Sequence, residues 1–130
     1  MATVREERIR IRWRDVDAYG HVNNAVYLSY LEEARDGWVH DVMGDRFDFV
    51  IVRIAIDYRR ELSLEDEEVV ITCRGEGYGR SSVRTVEEVR ARDGGLSAEA
   101  SSVIVAHDRG SRAARPLTDA ERATLDAAIA

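Results

Sequence analysis

One stretch of this chain limits what the rest can become. From about Asn24 to Met43, Tyr27, Leu31, Ala34, Trp38 and Val42 recur at spacings of three and four, with Val26 and Tyr30 beside them. Only a helix lines residues of that period along one side. Glu32, Glu33, Arg35 and Asp36 fall mostly off the stripe. Asn23 or Asn24 can cap the start, because its side-chain oxygen can accept from free backbone N–H groups of the first turn. Gly44 stands where such a helix would stop. The other patterned segments read as strands, so this helix has to find its cover among them.

The first strand is expected over Arg8 to Trp13, with Ile9, Ile11 and Trp13 on one face and Arg8, Arg10 and Arg12 on the other. Arg14 to Gly20 has no period and reads as a loop. After Gly44, Val50, Val52, Ile54, Ile56 and Tyr58 face one way, and Phe49, Ile51, Arg53, Ala55 and Asp57 the other. Further strands are expected over roughly Glu68 to Gly75, Ser81 to Ala91 and Leu96 to Ala106. Arg92-Asp93-Gly94-Gly95 supplies the hairpin turn between the last two. Past Pro116, Thr118 and Glu121 form a capping box for a short terminal helix. The order is strand, loop, long helix, four strands in meander, short helix. A lone helix cannot bury its own stripe, so about five strands with one apolar face are expected to curve around it, an α+β architecture. Such a sheet keeps free edges, which makes pairing with further copies, as a homodimer or a dimer of dimers, the expected state.

Composition narrows the function. The 130 residues show no break, so one domain spanning 1–130 is expected. The net charge of −6 argues against general nucleic-acid binding, which needs a basic surface. That acidity does not exclude a phosphate-bearing small ligand, which a local cluster of a few arginines would have to hold. The longest apolar run, Phe49 to Val52, is too short to span a membrane, and the charged start MATVREERIR has no apolar signal core. Cys73 is the single cysteine and cannot close an internal disulfide. A cytoplasmic protein is the expectation.

The most informative segment for function is Asp15-Val-Asp17-Ala-Tyr-Gly20-His21-Val22-Asn23-Asn24. It gathers two acids, a histidine and two asparagines just before a helix, whose first N–H groups are unsatisfied and partly positive. Such an end can hold a developing oxyanion, and a nearby carboxylate can attack an acyl carbon or draw a proton from water. Gly20 allows a tight turn. By residue type alone the same residues read first as turn formers and a cap. His21 and His40 lack ligand spacing with other His or Cys residues, so no metal is expected. No GxSxG elbow, GxGxxG or P-loop pattern occurs.

That segment, continued through Ala25-Val26-Tyr27, resembles the signature of the 4-hydroxybenzoyl-CoA thioesterase family. The stretch from Asp17 to Arg35, with His-Val-Asn-Asn, Tyr27-Leu28 and Leu31-Glu-Glu-Ala-Arg35, is especially similar to the bacterial long-chain acyl-CoA thioesterase branch. Plant acyl-carrier-protein thioesterases share a similar His-Val-Asn-Asn core. Ile56-Asp-Tyr-Arg-Arg-Glu, Glu68-Val-Val-Ile, Gly79-Arg80-Ser81-Ser82 and the tail from Asp108 to Pro116 resemble the family's later strands in order. The resemblance implies a hotdog fold and hydrolysis of an acyl-CoA thioester, with no cofactor, since coenzyme A is part of the substrate. It implies that Asp17 is the catalytic carboxylate, that an amide near Asn24 meets the oxyanion, and that His21 and Asn23 orient water or substrate, while Asp15 supports the loop. Arg80, Ser81 and Ser82 match a basic-polar strand entry near the nucleotide end, and Arg59 and Arg60 are further candidates for its phosphates. Two other readings compete. One is a hotdog hydratase or dehydratase, disfavoured by the lack of proline in the loop. The other is a non-catalytic acyl-CoA-binding domain.

Overall fold

The computed structural model describes residues 1–130. Its strands are β1 (Val4–Arg10), β2 (Phe49–Tyr58), β3 (Glu68–Tyr78), β4 (Ser82–Ala91), β5 (Leu96–Asp108) and the two-residue β6 (Ala113–Ala114); its helices are α1 (Asn24–Met43) and α2 (Asp119–Ile129). The long helix has the expected bounds. Asn23 is its cap, with Oδ1 accepting the Ala25 N–H at 2.9 Å, and Gly44 ends it at φ 84°. Thr118 and Glu121 form the capping box of α2.

The sheet is antiparallel in the order β1-β3-β4-β5-β2, with β6 added beside β5. The expected four-strand meander is therefore corrected. Only β3, β4 and β5 meander, while β2 crosses to the far edge and pairs with β5. Wrapping one helix explains the exchange. The chain leaves α1 at one side of the sheet, and the β1 edge on β3 is already taken. The helix buries Tyr27, Tyr30, Leu31, Ala34, Trp38 and Val39 against Val69, Ile71, Cys73, Val83, Val89, Ala98, Ala100 and Ile104. Gly75 on β3 is required by this fit, because a Cβ there would run into the Trp38 ring.

Three smaller expectations also change. The first strand ends at Arg10, and Trp13 is 82% exposed rather than buried. The reason is local: the Asp15 carboxylate collects the Arg12 amide and guanidinium and folds Trp13–Asp15 into a single 3₁₀ turn. In β2 the alternation breaks at a bulge, where Ile51 pairs with Ile104 and Arg53 with Val103, leaving Val52 as the extra residue. Phe49, Ile54 and Ile56 then face the core, while Val50, Ile51 and Val52 are exposed on the free edge. The strand β3 also runs past Gly75 to Tyr78.

Under the helix lies a buried ion pair. Arg35 of α1 places Nε 3.2 Å from Oε1 of Glu87 on β4, and that oxygen also accepts from Thr85 and Ser102. Burial pushes the Glu87 carboxyl up, against the opposing pull of Arg35, Ser102 and Thr85. Arg35 Nη2 and Glu87 Oε2 find no partner. Such a pair costs much desolvation, which offsets most of its mutual attraction. Arg35→Met should strand the carboxylate and cost about 3–5 kcal/mol. Adding Glu87→Leu should restore most of that loss in urea unfolding. A double variant no more stable than Arg35→Met alone would contradict this account.

Candidate functional site

The loop before α1 is anchored by one carboxylate. Asp15 is 1% exposed. Its Oδ2 accepts from the Arg12 N–H at 3.0 Å and the Tyr30 hydroxyl at 2.9 Å, and its Oδ1 accepts from the Arg12 guanidinium at 3.1 Å. Its carbonyl accepts from the Asn23 N–H at 2.9 Å. Burial alone would push this carboxyl up, but the Arg12 amide, the Tyr30 hydroxyl and the Arg12 charge together hold it below its ordinary value. Tyr30 is pushed up by burial and then by Asp15. Both ends of the loop are thus fixed to the second turn of the helix.

Asp17 sits two residues on, in a tight turn. The Gly20 N–H donates to the Asp17 carbonyl and the Asp17 N–H to the His21 carbonyl, both at 3.0 Å, with Val16 bridging to Val22. Gly20 takes φ 86°, which a side chain would strain. Asp17 Oδ1 accepts from the Tyr19 N–H at 3.0 Å, and Oδ2 accepts from Asn23 Nδ2 at 3.3 Å. The Asn23 side chain is therefore a bridge, with its oxygen on the Ala25 amide and its nitrogen on Asp17. It holds the carboxylate one side chain away from the helix start. The next amide, Asn24 N–H, has no protein acceptor.

A cleft of about 260 Å³ opens at this helix end. His21, Asn24, Tyr27, Tyr58, Arg59 and Arg60 line it. Asp17 lies beside the cleft, behind Asn23, and is not part of its wall. Four residues picked from sequence, Asp17, His21, Asn23 and Asn24, are thus brought together, and Arg59 and Arg60 join them. Arg80, Ser81 and Ser82 are not. Ser82 pairs with Val105 while Tyr58 pairs with Ala98, so they lie at opposite ends of β5. At about 3.3 Å per residue the two levels are separated by roughly 20 Å or more. Arg59 is bound to Glu99 at 3.3 Å and Arg60 to Asp93 at 3.0 Å, so an anion would have to compete with these acids. No group of three His, Cys, Asp or Glu side chains is arranged to hold a metal ion.

Sequence reasoning missed the tyrosines. Tyr27 belonged to the apolar stripe and Tyr58 to a strand face, so both read as core. Tyr27 is buried, but its hydroxyl meets Ser97 Oγ at 2.9 Å, and that Oγ donates to the Arg60 carbonyl at 2.6 Å. Tyr58 is exposed at the cleft wall, and its hydroxyl donates to the Asn24 carbonyl at 3.0 Å. The signal available was position: Tyr58 directly precedes Arg59-Arg60, where the strand pattern ends.

Comparison with known proteins supplies the chemistry. A family model described as the thioesterase-like superfamily matches residues 11–127. The long-chain acyl-CoA thioesterase FadM of Escherichia coli (strain K12) is 31% identical over 127 residues, covering 93% of this chain and 96% of that protein. A thioesterase from Thermus thermophilus, solved with coenzyme A and Zn, is 38% identical, with a TM-score of 0.79 and coverage of 96% of this chain and 94% of that one. A predicted thioesterase from Bacillus stearothermophilus, at 23% identity, shares the fold with a TM-score of 0.88 over 98% of both chains.

The Asp15 anchor carries a pH signature. Its folded pKa lies below the unfolded value, so its stabilisation is fully present above about pH 4, the ordinary Asp value, and is lost as pH falls through the lower folded value. Asp15→Asn should flatten that acid limb of the stability curve. Urea midpoints measured between neutral and strongly acidic pH check this, and an unchanged acid limb would exclude Asp15 as its source.

Proposed function

Because the chain belongs to the thioesterase-like superfamily, we propose that it hydrolyses an acyl-CoA thioester to the free carboxylic acid and coenzyme A, using Asp17 and the start of α1. One observation carries this reading: the unpaired Asn24 N–H stands at the helix N-terminus, and the Asn23 side chain that caps this end also holds the Asp17 carboxylate one side chain away. In this scheme the thioester oxygen points at the Asn24 N–H, where the helix end stabilises the charge that builds as the carbonyl carbon becomes tetrahedral. Asp17 acts on that carbon directly or on a water. In either form the C–S bond breaks, the sulfur leaves as thiolate and takes a proton, and a water oxygen ends in the acid. Asn23 orients Asp17, and His21 faces the same cleft, where it can bind the water or the thioester. Arg59 and Arg60 at the cleft wall take coenzyme A phosphates, aided by Arg80, Ser81 and Ser82 reached across a subunit boundary. The Escherichia coli relative supports a fatty acyl group.

A second copy belongs to this proposal. The free edge of β2 exposes Val50, Ile51 and Val52. An apolar open edge is a template for another strand. Pairing of two copies along β2 would also raise a further wall near the helix end, where one chain alone leaves Asp17 outside the cleft.

Thiol release measured over a panel of acyl-CoAs tests the activity and its chain preference together. Hydration of an enoyl-CoA, or binding without turnover, would instead favour the hydratase or the binding domain. Asp17→Asn keeps the shape and removes the charge, and should lower turnover at least ~100-fold. An Asp17→Asn variant working at the parent rate would reject the assignment. Light scattering should find a dimer or larger assembly. Val52→Arg on the free edge should shift it toward monomer and lower activity in parallel, whereas a parent that is monomeric and active would refute the paired site.

A further inference from the structure

We infer that Tyr58 is a positioning residue, whose hydroxyl fixes the first turn of α1 so that the Asn24 N–H faces the reacting carbonyl. This rests on the thioesterase reading above and adds to it a residue outside the signature loop.

The first turn of a helix is its softest part, since its N–H groups have no intrahelical acceptors. Here the cap holds the N–H side: Asn23 ties down the Ala25 amide with its side chain and the Val26 amide with its carbonyl, each at 2.9 Å. The opposite side is tied by β2. The Tyr58 hydroxyl reaches from the last residue of that strand to the Asn24 carbonyl at 3.0 Å. Its ring stands edge-on to the Tyr27 ring, with centroids 5.0 Å apart at 89°. A return strut runs the other way. Ser97 Oγ donates its proton to the Arg60 carbonyl, so Tyr27 must donate to Ser97, and the Arg59 and Arg60 amides both donate to the Ser97 carbonyl. Residues 24 and 27 of the helix and 58 and 60 of the strand end are thereby cross-braced, and these residues form facing walls of the cleft.

The two struts differ in a way that separates position from stability. Tyr27 is buried, so removing its hydroxyl leaves Ser97 short of a donor inside the core. Tyr58 is 44% exposed, so Phe at this site keeps the ring contact, and water can replace the lost bond to Asn24. Its hydroxyl therefore has little to give to folding. What it gives is direction: it fixes the Asn24 residue whose own N–H is unpaired. The aromatic contact alone would serve as well with Phe.

The test uses the full chain and thiol release from the preferred acyl-CoA. Tyr58→Phe should lower kcat about tenfold, the equivalent of one ordinary hydrogen bond. Its KM should stay within about twofold, since ground-state binding is untouched, and its melting temperature should match the parent. Tyr27→Phe should lower the melting temperature. Backbone amide exchange should speed up at Ala25 and Val26 in Tyr58→Phe and stay unchanged in the sheet. Parental kcat in Tyr58→Phe, a rise in KM in place of the fall in kcat, or unchanged exchange in the first turn would overturn the inference. If Asp17→Asn abolishes turnover while Tyr58→Phe does not, the thioesterase reading stands and only the role of Tyr58 falls. If the parent itself releases no thiol, the activity assignment falls, and the exchange measurement still decides whether Tyr58 orders the helix start.

Discussion

The buried Asp15 carboxylate is the contact on which the site depends. It is shared among an amide, a guanidinium and a phenol, drawn from the strand path on one side and the helix on the other. Arg12 stands at the end of the first strand's path, and Tyr30 lies on the second turn of α1. By joining them, Asp15 converts a loop without any sequence period into a fixed platform. Asn23, whose amide rests on the Asp15 carbonyl, inherits that position and caps the helix from it. The same Asn23 side chain then holds the Asp17 carboxylate one side chain away from the helix start.

The large features were legible because each had a period long enough to read. The α1 stripe, from Tyr27 to Val42, ran for about four turns and had a cap and a glycine stop, so both its bounds and its central place followed. The hairpin at Arg92–Gly95 and the α2 capping box were written in local residues. Strand order was not local. Whether β2 lies beside β3 or β5 depends on which edge is free after the helix is covered, and no short segment of sequence encodes that. The Val52 bulge was hidden for the same kind of reason, since apolar residues on both sides of it satisfy either phase of the alternation.

The site was legible only by half. Asp17, His21, Asn23 and Asn24 cluster within eight positions, and a short loop cannot separate them far. Arg59 and Arg60 arrive by a long-range pairing, and Tyr27 and Tyr58 looked like core because aromatic residues in a periodic pattern usually are. Hydroxyls on such residues are silent in sequence. Their partners, a Ser97 oxygen and an Asn24 carbonyl, are known only once the sheet is closed. Conversely Arg80, Ser81 and Ser82 looked like part of one binding surface and lie at the other end of β5.

Two aspartates two residues apart show how environment separates a structural carboxylate from one left available for the proposed chemistry. Both oxygens of Asp15 are filled by several donors, one of them cationic, in a place closed to solvent. A carboxylate so satisfied would lose all of those bonds on attacking a carbon or taking a proton, and no substrate could reach it. Asp17 has one donor on each oxygen, neither of them charged, and it is only partly covered. Its remaining lone pairs are free for a water or an acyl carbon, and its loop position is already secured by Asp15. Had the burial been reversed, the signature would read the same in sequence and the role proposed for Asp17 would fail. The two acids therefore differ by environment: Asp15 points into the protein and holds the turn, while Asp17 stays only partly covered beside the cleft, with no cationic partner on its carboxylate.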